Sequence, residues 1–100
     1  MESFSFKYPA TKSVAGRAHT GVLGSGDLEI LLEPTAFNET EFVVRTASDG
    51  FQEIWKRVFD RFVALNDISA KIILNDFGAT PGVVSLRLSQ VLELANQKIN

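Results

Sequence analysis

The feature that most limits how this chain folds is Gly24-Ser25-Gly26-Asp27, a serine between two glycines where one strand pattern stops and another starts. Apolar and polar residues alternate over residues 17–22 and again over 27–33. Alternation of period two on both sides of a short glycine-containing segment predicts a β-hairpin. We expect Gly24 and Gly26 to supply the positive φ angles of its turn. Ser25 is then predicted at the hairpin tip, where a modifying enzyme reaches its hydroxyl and an attached group swings freely.

The residues around Ser25 do not match a known catalytic arrangement. The chain has one histidine, His19, and no cysteine, so a Ser-His-Asp relay would have to use His19. The predicted hairpin places His19 several residues below the tip, as a strand residue with a structural hydrogen bond, which argues against a hydrolase. A phosphate-binding loop is excluded because its spacing and its Lys-Ser/Thr ending are absent. Most Gly-Ser-Gly segments are only turns, so the segment alone does not assign a function.

The rest of the chain predicts three more strands and two helices. Alternating residues predict strands at Phe4–Pro9 and Thr40–Thr46, and a β-branched apolar run predicts a buried strand at Lys71–Leu74. The first helix is predicted from apolar residues at helical spacing, with Ser48 or Asp49 as its N-cap. That stripe consists of Phe51, Ile54, Trp55, Val58, Phe59, Phe62 and Val63. We expect Trp55 and the three phenylalanines of this stripe to be core.

The second helix is predicted to begin at Thr80-Pro81 and to run to about Gln97, since threonine suits the N-cap and proline the first helical position. Its apolar stripe is Val84, Leu88, Val91, Leu92, Ala95 and Ile99. The element order is therefore β-β-β-β-α-β-α, with a β-α-β crossover that indicates one parallel pairing. We predict an α/β (α+β) fold: a two-layer sandwich, with a mixed sheet and both helices on one face.

Two apolar surfaces are left without a predicted covering element. The uncovered sheet face carries Leu23, Leu31, Val43 and Ile73 among polar residues, an apolar band that would mark a docking surface. Leu86 and Leu94 lie off the stripe of the second helix and widen its apolar face. They either add to the core or contact a partner subunit.

Composition bounds the protein further. A chain of 100 residues is one domain, spanning 1–100. Because it has no cysteine, disulfides, thiolate metal sites and a thiol nucleophile of its own are excluded, and no metal site is predicted. The net charge of −2 gives no basic footprint for nucleic acid. No apolar run reaches the length of a membrane span and no signal peptide is visible, so we expect a cytoplasmic protein without direct membrane contact.

Two segments of the chain closely resemble the acyl carrier subunit of malonate decarboxylase, known as the delta subunit. The first is Gly21-Val22-Leu23-Gly24-Ser25-Gly26-Asp27-Leu28-Glu29-Ile30-Leu31-Leu32-Glu33-Pro34, and the second is Asp76-Phe77-Gly78-Ala79-Thr80-Pro81-Gly82-Val83-Val84-Ser85-Leu86-Arg87-Leu88. The resemblance spans essentially the full length. It implies that Ser25, in the Ser-Gly-Asp motif, carries 2'-(5''-phosphoribosyl)-3'-dephospho-coenzyme A through a phosphodiester bond.

The same resemblance implies a non-catalytic carrier of acetyl and malonyl thioesters in malonate catabolism. Its implied partners are a malonyl/acetyl transferase subunit, decarboxylase subunits and the transferase that attaches the prosthetic group. Gly24, Gly26 and Asp27 would flank the attached group. Asp27 either positions the serine or faces the attaching enzyme, or it is simply a turn carboxylate that accepts backbone N–H groups.

Two alternatives remain open at this point. The citrate lyase acyl carrier shares Ser-Gly-Asp but lacks the stretch Asp76 to Val84, and it would carry the same cofactor. An interaction domain with an unmodified Ser25 is the other alternative. Ordinary acyl carrier proteins are helical bundles with an Asp-Ser-Leu motif, whereas this serine precedes its aspartate and lies among strands.

Overall fold

A computed structural model of the chain describes residues 1–97 and contains five strands and two helices. In chain order the elements are β1 (Glu2–Pro9), β2 (Ala18–Gly21), β3 (Asp27–Pro34), β4 (Glu39–Thr46), α1 (Gln52–Leu65), β5 (Ala70–Phe77) and α2 (Pro81–Asn96). This is the predicted order.

The strands form one mixed sheet in the order β1-β4-β5-β3-β2. Neighbours are antiparallel except β4 and β5, which α1 connects as the crossover of a β-α-β unit. The predicted parallel pairing is thus confirmed. Because β5 pairs antiparallel with β3, with Phe77 opposite Asp27, the loop after β5 lies next to the start of β3.

Both helices cover the same face of this sheet and enclose one core. Phe42 of β4 stacks on Phe59 of α1 with ring centroids 4.0 Å apart, and both side chains are fully buried. Val84 and Leu88 of α2 belong to the same buried cluster. The predicted two-layer α/β sandwich is confirmed.

The predicted start of α2 is confirmed, and the predicted cap of α1 is wrong. The Thr80 hydroxyl accepts the Val83 N–H at 3.2 Å, and Pro81 is the first helical residue. Helix α1 begins only at Gln52, so its N-cap is Phe51, which provides no side-chain hydrogen bond. Ser48 and Asp49 lie too far upstream to reach the free N–H groups of the first turn.

The apolar stripe of α1 is wider than the surface that the sheet buries. Trp55, Phe59 and Phe62 are buried as predicted, whereas Phe51 and Ile54 are 46% and 41% exposed. The exposure of Phe51 corrects the expectation that all four aromatic side chains of the stripe are core. Phe51 precedes the helix and Ile54 lies in its first turn.

The opposite sheet face carries one apolar row. Val43 pairs with Ile73, and Ile73 pairs with Leu31, so the three side chains cross the centre of this face. Leu23 was also expected here, but it lies beyond the end of β2 and is exposed. Leu86 and Leu94 are exposed on α2, and the stripe position Ile99 lies outside the described residues.

Candidate functional site

Ser25 lies in the turn that joins β2 to β3, which we call the serine turn (residues 22–26). Its side chain is exposed, as the sequence predicted. The N–H of Asp27 donates to the carbonyl of Gly24 at 3.1 Å, which closes the backbone around Ser25. The serine hydroxyl is thus presented on a hydrogen-bonded turn.

The two glycines beside Ser25 have different backbone conformations. Gly26 has a φ of +77°, the left-handed region that strains any residue with a Cβ. Gly24 does not have positive φ, which corrects the prediction that both glycines supply it. The turn is longer than a two-residue hairpin, so one positive φ next to the serine is sufficient to reverse the chain.

A third glycine, Gly21, is essential to the hairpin for a different reason. It has a φ of +86°, and a Cβ at this position would lie 1.9 Å from the carbonyl oxygen of Leu28. The backbones of the two strands therefore approach too closely here for any side chain. Our sequence interpretation missed this role, although a glycine that interrupts a strand pattern is a signal of close backbone approach.

The end of β5 holds the serine turn from the side. The N–H of Gly26 donates to the carbonyl of Phe77 at 2.7 Å. A Cβ added at Gly78, whose φ is +94°, would lie 3.7 Å from the backbone nitrogen of Gly26. The two segments that carry the sequence resemblance therefore meet at one end of the sheet, with Ser25 on one and its support on the other.

Asp27 anchors the other side of the turn. Its Oδ1 accepts the N–H of Leu28 at 2.7 Å and the Nε–H of Arg87 at 3.2 Å, and its Oδ2 accepts Nη2–H of Arg87 at 2.6 Å. The hydrogen bonds from Arg87, followed by the one from Leu28, hold the pKa of the Asp27 carboxyl below its ordinary value. The same contact raises the pKa of Arg87.

Arg87 extends this contact along α2. Its Nη1 donates to the Gln90 Oε1 at 3.0 Å, and the Thr20 hydroxyl donates to the same oxygen at 3.4 Å. The helix thus holds both strands of the hairpin that bears Ser25. Sequence analysis assigned no role to Arg87, because a partner 60 residues away is not visible in a local pattern.

Asp76 stabilises the loop between β5 and α2. Its side chain is buried, its Oδ2 accepts the Thr46 hydroxyl at 2.8 Å, and its Oδ1 accepts the N–H of Ala79 at 2.9 Å. Each carboxylate oxygen thus has a partner, as burial of a charge requires. Asp76 thus fixes the segment that lies beside the serine turn and leads from β5 into α2.

His19 lies on β2, where its Nε2 is 2.9 Å from the Glu29 Oε2. The hydrogen bond predicted for it is confirmed, and it is directed across the hairpin. Within residues 1–97 no cluster of three or more metal-ligating side chains occurs. No helix in the same range is long and apolar enough to cross a membrane. What the site offers chemically is an exposed primary alcohol on a fixed turn.

Comparison with known proteins decides the family. The model of the family described as malonate decarboxylase delta subunit (MdcD) matches residues 15–95. The chain belongs to this family. The resemblance seen in the sequence is confirmed, and it is this family, not the citrate lyase acyl carrier, that the match identifies.

Similar proteins support the delta subunit assignment over nearly the full length. A malonate decarboxylase acyl carrier protein of Pseudomonas paraeruginosa is 48% identical over 96 residues, covering 95% of this chain and 97% of that protein. The one from Azotobacter vinelandii is 45% identical over 94 residues, covering 93% and 95%. The one from Klebsiella pneumoniae is 40% identical over 96 residues, covering 95% and 97%.

A solved structure shares the fold of this delta subunit family member. It is described as the crystal structure of a Pseudomonas malonate decarboxylase hetero-tetramer in complex with malonate. The matching chain has a TM-score of 0.89 and 44% sequence identity, and the match covers 95% of this chain and 99% of that one. The mixed sheet with two helices on one face is therefore shared with a chain of that complex.

Proposed function

We propose that the chain, acting as one domain, is the acyl carrier subunit of malonate decarboxylase and that Ser25 is its attachment point. The observation that carries this proposal is the exposed Ser25 hydroxyl on a turn fixed from two sides, by Phe77 and by Arg87. Family membership and the names of the relatives support the carrier role.

The surroundings of Ser25 suit a bulky covalent group. A Cβ added at Gly26 would meet nothing within 4 Å, so the space beside the serine is open. Gly24 and Gly26 add no side chain next to the hydroxyl, and Asp27 is turned toward Arg87. The group we propose is 2'-(5''-phosphoribosyl)-3'-dephospho-coenzyme A, joined to the serine oxygen by a phosphodiester. When bound, it supplies a thiol that holds acyl groups as thioesters.

The protein itself contributes the presentation and the tethering of the acyl group. We propose that it provides no catalytic group and that exchange and decarboxylation take place on a malonyl/acetyl transferase subunit and on decarboxylase subunits in the cytoplasm. A tether keeps the acyl group at high local concentration near both active sites. A separate transferase would attach the group, and it would recognise the serine turn together with Gly24, Gly26 and Asp27.

Replacing the serine tests this proposal directly. Ser25→Ala removes the hydroxyl, so the mass of the prosthetic group should disappear from intact-mass spectra of protein made in its native host. An exposed turn side chain contributes little burial, so the free energy of unfolding should change by no more than about 0.5 kcal/mol. Circular dichroism checks that the fold is retained.

The matched control is Ser5→Ala, which removes another exposed serine hydroxyl on the opposite edge strand. This variant should be loaded like the parent chain. Prosthetic-group mass that persists in Ser25→Ala would refute the assignment, and so would a parent chain that never gains mass in the host.

A further inference from the structure

A small pocket lies between the beginnings of the two helices. Its volume is about 200 Å³. Thr46, Trp55 and Val84, all at least 95% buried, form its floor, and the partly exposed Phe51 and Ile54 form its rim. One of these rim residues, Phe51, was predicted from the sequence to be core. Their exposure leaves an apolar opening at the surface.

The pocket shares a wall with the support of the serine turn. Asp76 and Gly78 line it, and Gly78 also lies against the backbone of Gly26. Both features lie at the end of the sheet where β5 stops and β3 starts. A long flexible group on Ser25 therefore has this pocket beside its own attachment point.

The size of the pocket selects a small occupant. Sites for drug-sized ligands have volumes of roughly 300–1,000 Å³, so this pocket is too small for the nucleotide part of the proposed cofactor. A terminal group of a few atoms fits the available space. Since one end of the arm carries the acyl group, that end is the part that matches the volume.

The residues that line the pocket favour an uncharged ligand. Aromatic and aliphatic side chains dominate it, and among the described lining residues Asp76 alone carries a charge. Both oxygens of Asp76 already accept hydrogen bonds, from Thr46 and from Ala79. A carboxylate entering the pocket would lose water and would meet a negative charge without a lysine or arginine in the lining to compensate.

We propose that this pocket holds the acetyl thioester end of the arm and excludes the malonyl form. The inference rests on the proposed function, since it requires the arm on Ser25. The acetyl group is shielded from water while the carrier waits for its partners. The malonyl form stays in solvent, where the next subunit captures it.

Amide NMR spectra of the loaded carrier test the inference without any enzyme assay. The apo, thiol, acetyl and malonyl forms of the full chain are compared, with intact mass confirming each form. Acetylation should shift the amide signals of Ser48, Ile54 and Ala79, and the emission of Trp55, the one tryptophan, should move to shorter wavelength. Malonylation should leave these signals as they are in the thiol form.

A pair of alanine substitutions supplies the variant and its control. Ala79→Leu fills part of the pocket, whereas Ala64→Leu makes the same change on the exposed C-terminal turn of α1. The pocket variant should lose the acetyl-dependent shifts. Its acetyl thioester should also hydrolyse about twofold faster or more, as expected when a tethered group occupies the pocket at least half of the time. The control should match the parent chain in both measurements.

The outcomes separate the two proposals. Correct acetyl mass on Ser25 without shifts at the pocket residues would overturn the pocket assignment and leave the carrier function standing. Equal shifts for the acetyl and malonyl forms would overturn the exclusion of malonyl. A chain that never acquires the prosthetic group would instead refute the carrier proposal on which this inference rests.

Discussion

The environment of Ser25 is set by glycines that serve different purposes. Gly26 provides a left-handed conformation, Gly21 permits close backbone approach, and Gly24 provides neither. At the scale of single residues, the position of the Ser25 hydroxyl thus depends on backbone geometry more than on any side chain that contacts it. The two glycines beside the serine should respond differently to the same substitution.

The first prediction compares Gly26→Val with Gly24→Val. Valine at Gly26 must adopt a φ near +77°, which costs about 1–2 kcal/mol of backbone strain, while a Cβ added at Gly24 meets only the Val22 side chain at 3.9 Å. We expect Gly26→Val to lower the urea midpoint and to slow attachment of the prosthetic group. Gly24→Val should retain most of the stability of the parent chain.

Urea denaturation and the time course of mass gain measure both effects. If the two variants lost the same stability, the positive φ of Gly26 would not be the cause. Unchanged stability and attachment in Gly26→Val would show that the serine turn does not need its left-handed glycine.

At the scale of elements, α2 acts as a brace for the hairpin that carries Ser25. The Arg87 guanidinium binds both oxygens of Asp27, a geometry that only arginine provides. Arg87 lies in the N-terminal half of this helix. The helix begins at Thr80 and Pro81, directly after the loop that supports Gly26. The position of the serine turn is therefore coupled to the position of α2.

The second prediction concerns the pH dependence of the brace. The pKa of Asp27 is lowered in the folded protein from its ordinary value of 3.8, mainly by Arg87. Its contribution to stability is therefore fully present above the unfolded-state pKa and is lost as the pH falls through the folded-state value. We expect the coupling between Asp27 and Arg87 to be present at neutral pH and to vanish in acid.

A double-mutant cycle with Asp27→Asn, Arg87→Gln and both together measures this coupling by urea denaturation from about pH 7 to about pH 2. Arg87→Lys is the matched variant, since it retains the charge and loses the two-pronged contact. A coupling that is zero at neutral pH, or that does not change on acidification, would contradict the brace.

At the scale of the whole molecule, a single core packs both helices against the sheet. This packing keeps the end of β5 and Arg87 of α2 in position beside the serine turn. Phe42 and Phe59 stack at the centre of the core, with Phe62 and Trp55 packed around them. The other sheet face retains the apolar row Leu31, Val43 and Ile73 among charged neighbours. Stability thus comes from one face of the sheet.

The third prediction tests that core. Phe59→Ala removes a fully buried ring and should lower the free energy of unfolding by about 3–5 kcal/mol. Phe37→Ala, the same change at a side chain that is 73% exposed, should change it by no more than about 0.5 kcal/mol. Urea denaturation gives both values, and equal losses in the two variants would contradict the placement of the core.

The sequence by itself was sufficient for most of what near neighbours decide, the N-cap of α1 excepted. Alternation predicted the strands and the exposure of Ser25, Thr80-Pro81 predicted the start of α2, and two motifs predicted the family. The parallel crossover also followed, because a strand, a helix and a strand in succession have few ways to pack. These features depend on periodicity and on local hydrogen bonds, which a linear pattern records.

Only the tertiary structure decided how distant segments meet. It placed the positive φ at Gly26 and not at Gly24, because the contact with Phe77 fixes the turn. It paired Asp27 with Arg87 and left Phe51 exposed beside a pocket. Such contacts join residues that are tens of positions apart, and their geometry follows from the packing of the whole sheet, so no local pattern in the sequence contains them.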